Sequence, residues 1–296
     1  MKYQIRHVTR YDYASPVSQC YNRAHLLPRD TDTQTCLHTR VRIAPLPATA
    51  QQRVDYFGNS TYHFALEDPH TSLTIDVESE IEVLERPKFN AFDLDLGVTC
   101  AEARNLIRRG RTEEILLAKE YLLDSPMVRC SEELAEYARA LFVDDRPLLS
   151  AARELTSKIF NEFTYDPEFT TVATPIGEVM EHKRGVCQDF AHLAIGCLRS
   201  LGYPARYVSG YLETLPPPGQ EKLVGSDASH AWFALFSPTE GWFEFDPTND
   251  NMPTEQHITT AWGRDYSDVT PLRGVIFDGG KTQKLHVAVD VTRIPE

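Results

Sequence analysis

The chain has 296 residues, 42% of them apolar and 25% charged, the balance of a soluble globular protein long enough for two domains or one large domain with an appendage. A formal net charge of −13 argues against nucleic acid or an anionic membrane as partner, because either would be repelled unless a local basic patch intervened. The densest basic run, Arg104, Arg108, Arg109 and Arg111, meets Glu113 and Glu114 at once and reads as a solvated helix face.

Met1 to His7 lack the apolar core of a signal peptide, and no run approaches the ~20 apolar residues of a membrane span, so a cytoplasmic protein with no membrane partner is expected. The six cysteines show no Cys-x-x-Cys spacing, and reduced thiols are expected. Residues 1 to 86 read as strands and turns. Leu37, Thr39, Val41 and Ile43 alternate with polar neighbours, as do Tyr62, Phe64 and Leu66, and Leu73, Ile75 and Val77. One buried and one wet face per strand predicts a small antiparallel β-sandwich. The histidines of this region, His7, His25, His38, His63 and His70, have no organised partner and read as structural.

The pattern breaks around Arg86 to Asn90, which sets the expected domains at 1–90, β-rich, and 91–296, catalytic. Helices follow. Thr112 caps one that reaches Leu122, Ser131 caps one whose Leu134, Ala135, Ala138, Leu141 and Phe142 share a face, and Leu148, Ala152, Leu155, Ile159 and Phe163 form a third stripe. Thr174-Pro175 starts a short helix ending near Lys183.

The chemistry centres on Arg184 to Gly202. Gly185 permits a close backbone approach, Cys187 opens a segment, and Phe190, Leu193, Ala194, Cys197, Leu198 and Leu201 recur at helical spacing before Gly202. A thiol at a helix N-terminus is favoured as thiolate, and the same unpaired N–H groups can hold an oxyanion. His182, Cys187 and His192 suggest a metal site, but steps of five are ~140° apart on a helix and no fourth ligand is evident. Ala205 to Leu212 alternates as a strand. The Pro216-Pro217-Pro218-Gly219 loop that follows reaches Ser226-Asp227, either bordering the cleft or running as a surface connection. Residues 227 to 236 and 241 to 248 read as two strands joined by a Ser-Pro-Thr-Glu turn. His230 shares a face with Trp232, Ala234 and Phe236; Asp246 shares one with Trp242 and Glu244. If Leu235 pairs with Gly241, His230 stands directly opposite Asp246, and the hairpin supplies a base and its orienting carboxylate. Residues 258 to 296 read as closing strands, with Leu285, Val287, Val289 and Val291 alternating and Gly279-Gly280 as a turn.

The motifs Gly-Val-Cys-Gln-Asp-Phe-Ala-His-Leu, Leu-Gly-Tyr-Pro-Ala-Arg-Tyr-Val-Ser-Gly-Tyr, Asp-Ala-Ser-His-Ala-Trp and Phe-Asp-Pro-Thr-Asn, within about residues 150 to 250, resemble the transglutaminase-like superfamily of papain-type Cys-His-Asp enzymes. The opening Tyr3 to Tyr13 and the segment Gly263 to Pro271 are similar to its bacterial branch, which carries an N-terminal β-rich domain. The resemblance implies an α+β fold, a nucleophile helix packed on an antiparallel sheet behind an N-terminal β-sandwich. It also implies Cys187 as nucleophile, His230 as base and Asp246 as orienting acid, with no cofactor. Tyr165, Gln188 and Trp232 are the oxyanion or cleft candidates; Tyr165 reads equally as a core tyrosine, and Trp232 and Trp242 wall core or cleft. Asp189 reads as structural, His192 ranks below His230, and Gly263 to Asp268 is expected near the cleft.

The function so implied is cysteine-dependent hydrolysis of an amide or peptide through a thioester. Transglutaminase-type transfer to an amine is the alternative, and a non-catalytic peptide-binding module is the alternative of another class. The partner is then a peptide or protein substrate, and nothing in the sequence indicates an oligomeric state.

Overall fold

Along the first strand burial follows the sequence alternation: Tyr3, Ile5, His7 and Thr9 are buried while Lys2, Gln4, Arg6 and Arg10 are exposed, the period that a strand with one wet face imposes. The computed structural model describes residues 1–84, 92–214, 228–280 and 282–294. Its first five strands are β1 (Lys2–Ala24), β2 (Gln34–Ala44), β3 (Thr49–Val54), β4 (Ser60–Leu66) and β5 (His70–Val83). They form one antiparallel sheet in the order β2-β5-β1-β4-β3. Between Asp12 and Val17 the pairing of β1 with β5 shifts register, and beyond it β1 pairs with β4 from Cys20 to Ala24. Leu73, Ile75 and Val77 of the first layer then cluster with Val17, Cys20, Phe64 and Leu66 of the second. The expected sandwich is therefore a single sheet folded on itself. The expected domain boundary near residue 90 lies outside the described residues.

The helical layer contains α1 (Cys100–Arg109), α2 (Glu113–Lys119), α3 (Glu132–Arg139) and α4 (Leu148–Glu162). Thr112 and Ser131 cap as the sequence predicts, their hydroxyls accepting from Ile115 N–H and Leu134 N–H. Then come β6 (Thr164–Tyr165), α5 (Ile176–His182), β7 (Arg184–Gly185), α6 (Cys187–Ser200), β8 (Ala205–Leu212), β9 (Ala228–Ser237), β10 (Gly241–Phe245), β11 (His257–Gly263), α7 (Tyr266–Val269), β12 (Leu272–Asp278) and β13 (Gln283–Ile294). Every residue of α6 from Gln188 to Arg199 is buried. Leu148, Ala152, Leu155 and Ile159 of α4 and Phe233, Leu235, Phe243 and Phe245 of the four-stranded sheet β10-β9-β8-β11 share a core with its Phe190, Leu193, Ala194, Cys197 and Leu198. A helix buried all round has its position fixed by packing on every side. Among the described residues no helix is long and apolar enough to cross a membrane.

Two expectations are corrected. The closing strands β12 and β13 do not extend the catalytic sheet; both pair antiparallel with β1, Ala24 opposite Leu272 and Lys2 opposite Ile294. The residues 272–294 expected within the catalytic domain thus belong to the N-terminal sheet, because that sheet offers β1 a long edge on which their alternation can be satisfied. The hairpin register is also two residues off: Gly241 pairs with Ser237 and Phe243 with Leu235. A slip of two keeps every side chain on its face, whereas a slip of one would have inverted them, so His230 and Asp246 remain on one side as diagonal rather than direct neighbours.

Candidate active site

Cys187 opens α6. The short parallel pair β6–β7 sets Gly185 beside Tyr165, and the Asp189 carboxylate accepts from the Val186 N–H at 2.9 Å, holding the turn into the helix. A Cβ on Gly185 would lie 2.9 Å from Cβ and Oδ2 of Asp189, so only glycine lets that carboxylate fold back. Burial raises the Asp189 pKa against the opposing bond from Val186, and Asp189 is structural as expected. The first-turn N–H groups of α6 have no partner within the helix.

Asp246 follows β10 directly and is fully buried. Its backbone bridges Asn251 through bonds of 2.8 and 3.3 Å, closing a turn whose Asp250 is gripped by Arg153 of α4 at 2.5 Å. One carboxylate oxygen accepts from the backbone N–H of Thr248 at 2.9 Å. The other meets Nε2 of His230 at 2.7 Å, Nε2 of His257 at 3.0 Å and Nδ2 of Asn249 at 2.7 Å. Burial opposes ionisation of Asp246, but the bonds from the two histidines outweigh it and hold the carboxyl far below its usual range. Nδ1 of His230 is left to meet Cys187. Burial pulls the His230 imidazole down, yet the bond to Asp246 and then that to Cys187, with the charges of both, push its pKa up to about 10. An imidazolium therefore faces the sulfur at neutral pH.

Cys187 and His230 border a cleft of about 300 Å³ also lined by Gln188, Tyr207, Ser209, Ser229 and Tyr266. Its far wall comes from the N-terminal sheet, with His7, Thr9 and Tyr11 of β1 and Leu285 and Val287 of β13. A larger cleft of about 520 Å³ between Pro126 and Met180 contains no nucleophile paired with a base.

Two family models match the chain: the bacterial transglutaminase-like N-terminal region over residues 3–82 and the transglutaminase-like superfamily over residues 135–247. The uncharacterized protein Rv2569c of Mycobacterium tuberculosis is 38% identical over 297 residues, covering 98% of this chain and 92% of that protein. This chain belongs to the transglutaminase-like superfamily. The uncharacterized protein ML0607 of Mycobacterium leprae is 37% identical over 98% of both chains. The protein-glutamine gamma-glutamyltransferase of Pseudomonas aeruginosa is 30% identical over 138 residues, 43% of this chain and 21% of that one. Among solved structures, a protein of Cytophaga hutchinsonii provisionally named a cysteine protease shares the fold, with a TM-score of 0.75 at 20% identity over 100% of this chain and 92% of that one.

In this transglutaminase-like chain the remaining candidates separate. Tyr165 is 55% exposed; burial first and then the charge of Cys187 raise its pKa, so its hydroxyl keeps a proton to donate near the sulfur. Gln188 lines the cleft but its Nε2 donates to the Val172 carbonyl at 3.2 Å. Trp232 does not line the cleft: it is fully buried, its ring 5.9 Å from that of His230 and 5.2 Å from that of His257. The smallness of Gly210, where a Cβ would meet the Ile258 carbonyl at 2.1 Å and the Trp232 ring at 2.6 Å, lets the indole lie there. Tyr266, from the Gly263 to Asp268 segment, does line the cleft. His192 is turned away, its Nε2 accepting from the Tyr266 N–H at 3.1 Å, and burial pushes its imidazole down. The loop through Pro216 to Asp227 lies outside the described residues.

Three residues near the site were not singled out from the sequence, where His7 reads as a structural histidine without a partner. Tyr207 is buried in the cleft floor, and burial, then the charge of Cys187, hold its hydroxyl protonated. His7 binds Thr9 Oγ1 at 2.8 Å and the Tyr211 hydroxyl at 3.0 Å, and burial lowers its pKa to about 4. His257 is the third. With His230 and Asp246 it forms a trio whose atoms lie within 4.8 Å of one another, the spacing of a metal site. Hydrogen bonding suits the trio better: Nδ1 of His257 accepts from the Thr254 N–H at 3.2 Å, so a neutral ring carries its proton on Nε2, where a metal would have to bind. The only sequence signal for His257 is a polar residue opening a strand.

Proposed function

We propose that the chain is a cysteine-dependent hydrolase of amide or peptide bonds. The observation that carries this reading is Cys187 and His230 bordering one cleft, with the buried Asp246 carboxylate bonded to the far side of the imidazole at 2.7 Å. The Cys187 thiolate attacks the carbonyl carbon, forming the C–S bond while the oxygen takes up negative charge beside the α6 N-terminus. Tyr165 and Tyr207, whose hydroxyls both feel the charge of Cys187, are the candidate donors to that oxygen. As the C–N bond breaks, Nδ1 of His230 gives its proton to the departing amine. Water, deprotonated by the same nitrogen, then attacks the thioester; the C–S bond breaks and the thiolate is restored. Asp246 keeps the ring in one tautomer throughout.

Hydrolysis is the first reading because no described residue lining the cleft is an Asp or Glu that would hold a cationic amine acceptor, whereas water needs no such docking group. Transfer to an amine is the second reading, supported by the 30% identity to a protein-glutamine gamma-glutamyltransferase over the segment that aligns. The first test is selective alkylation. At about pH 6, iodoacetamide should label Cys187 well before Cys130, which is exposed but whose thiol is raised by burial and by Asp124. Peptide-library turnover with mass detection follows, with Cys187→Ala expected to lose about 10⁴-fold or more and added primary amine separating hydrolysis from transfer. Uniform slow labelling with no turnover of any library peptide would leave a peptide-binding module, and turnover intact in Cys187→Ala would overturn Cys187 as the nucleophile.

A further inference from the structure

The face of β1 that carries Tyr3, Ile5, His7, Thr9 and Tyr11 is continuous with the face of β13 carrying Leu285, Val287, Val289 and Val291. The register sets Tyr11 opposite Leu285, Thr9 opposite Val287 and His7 opposite Val289, so these cross-strand pairs point the same way. This shared face does two things along its length. At one end Tyr3, Ile5, Val289 and Val291 pack on Tyr211 and Ile258 of the catalytic sheet and are buried. At the other it continues over Cys187, and there Leu285 and Val287 are 53% and 51% exposed. His7 ties the two parts together through the Tyr211 hydroxyl.

Apolar side chains left in water on a face that is otherwise docked mark a surface awaiting a partner. The partner must sit against the sulfur. Pro271 and Leu272 extend the same apolar wall, and no described residue lining the cleft is Asp, Glu, Lys or Arg, in a chain whose net charge is −13. A volume of about 300 Å³ is at the small end for ligand sites and fits one side chain with its carbonyl. An ionised side chain placed there would lose its water and meet only the Cys187–His230 pair, whose charges already answer each other.

We propose that this shared face of β1 and β13 is the substrate-selecting wall of the Cys187 cleft, and that it takes acyl donors carrying an uncharged, apolar side chain beside the carbonyl that is attacked. Both ends of the chain thereby build the specificity of a nucleophile near its middle. The inference rests on Cys187 being the reacting sulfur, and its test separates the two.

The test compares rates of Cys187 alkylation, read by peptide mass spectrometry on the intact chain, for N-benzyl iodoacetamide, iodoacetamide and iodoacetate. It needs no known substrate. The benzyl probe should label Cys187 about tenfold faster than iodoacetamide, the gain expected from a small apolar group in a fitting pocket, and iodoacetate should be slowest. In Leu285→Glu the benzyl-to-parent ratio should fall to within about twofold of one. Val287→Thr, which keeps β-branching and exchanges one methyl for a hydroxyl, should lower the ratio in the same direction by a smaller factor. A wild-type ratio near one, or a preference untouched in both variants, overturns the wall while leaving a fast Cys187 as the nucleophile. A slow Cys187 that still prefers the benzyl probe keeps the wall and overturns the enzyme.

Discussion

The catalytic sheet and the N-terminal sheet are both antiparallel, yet they handle polar groups in opposite ways. In the former, His230, Asp246 and His257 are withdrawn from water and answered by one another and by backbone N–H groups. In the latter, the polar groups of the outer face stay in solvent as pairs such as Arg42 with Glu78 and Arg10 with Asp12. A buried polar group without its partner costs the full desolvation penalty, whereas an exposed pair exchanges one set of water contacts for another. Equal numbers of hydrogen bonds therefore carry unequal consequences in the two regions, and substitutions should rank accordingly.

The largest effect belongs to the carboxylate. Asp246→Asn should lower kcat/KM by about 10⁴-fold, measured on any substrate the wild type turns over. The same variant probes pH. The folded pKa of His230 lies above its unfolded value of about 6.5, so the pair contributes stability that is fully present below about pH 6.5 and is lost as pH climbs through about 10. Asp246 has the opposite sign, its contribution present above about pH 4 and lost as acid protonates it. Urea midpoints should thus fall from pH 7 toward 10 in the wild type and change less in Asp246→Asn; parallel curves would break the link between the ion pair and the fold.

An intermediate effect is expected at His257, which touches no reacting atom and acts through Asp246. His257→Ala removes one charge-assisted bond from the carboxylate, a loss of about 1–3 kcal/mol that should appear as about a tenfold to hundredfold drop in kcat with little change in KM. The alkaline limb of the pH profile should move down as well, which a purely structural defect would not produce. Gly210→Ala should act on stability, lowering Tm by several degrees, because the added Cβ meets a backbone carbonyl that cannot swing aside. At the small end, Arg42→Ala on the outer face should leave turnover unchanged and shift Tm by about a degree or less. A loss there as large as at His257 would erase the contrast between the sheets.

Much of the site was legible because it is local chemistry. A thiol at the start of an apolar helix and a histidine and an aspartate on matching strand parities are written within short stretches, and even a register misplaced by two residues preserved their common face. His257 was not legible. It lies eleven positions beyond Asp246 in the sequence and returns to it only because β11 pairs with β8, leaving Gly210 between the two histidine-bearing strands. Trp232 shares the parity of His230, but parity does not say whether a face opens on a cleft or a core; the neighbours Val208 and Ala234 bury it.

The sequence by itself determined most of the elements, the Thr112 and Ser131 caps and which candidate side chains share a strand face, since each depends on residues within a few positions of one another; it did not foresee that Leu37, Leu285 and Val287 stand exposed on strands where their alternation predicted a buried face. Only the tertiary structure decided that β12 and β13 leave the catalytic sheet for β1, that His7 and Leu285 come to stand over Cys187, and that one carboxylate serves two histidines. Those outcomes depend on pairings between distant segments, where many edges offer the same backbone hydrogen bonds and the choice falls to whichever buries the most apolar surface while leaving no polar group unanswered.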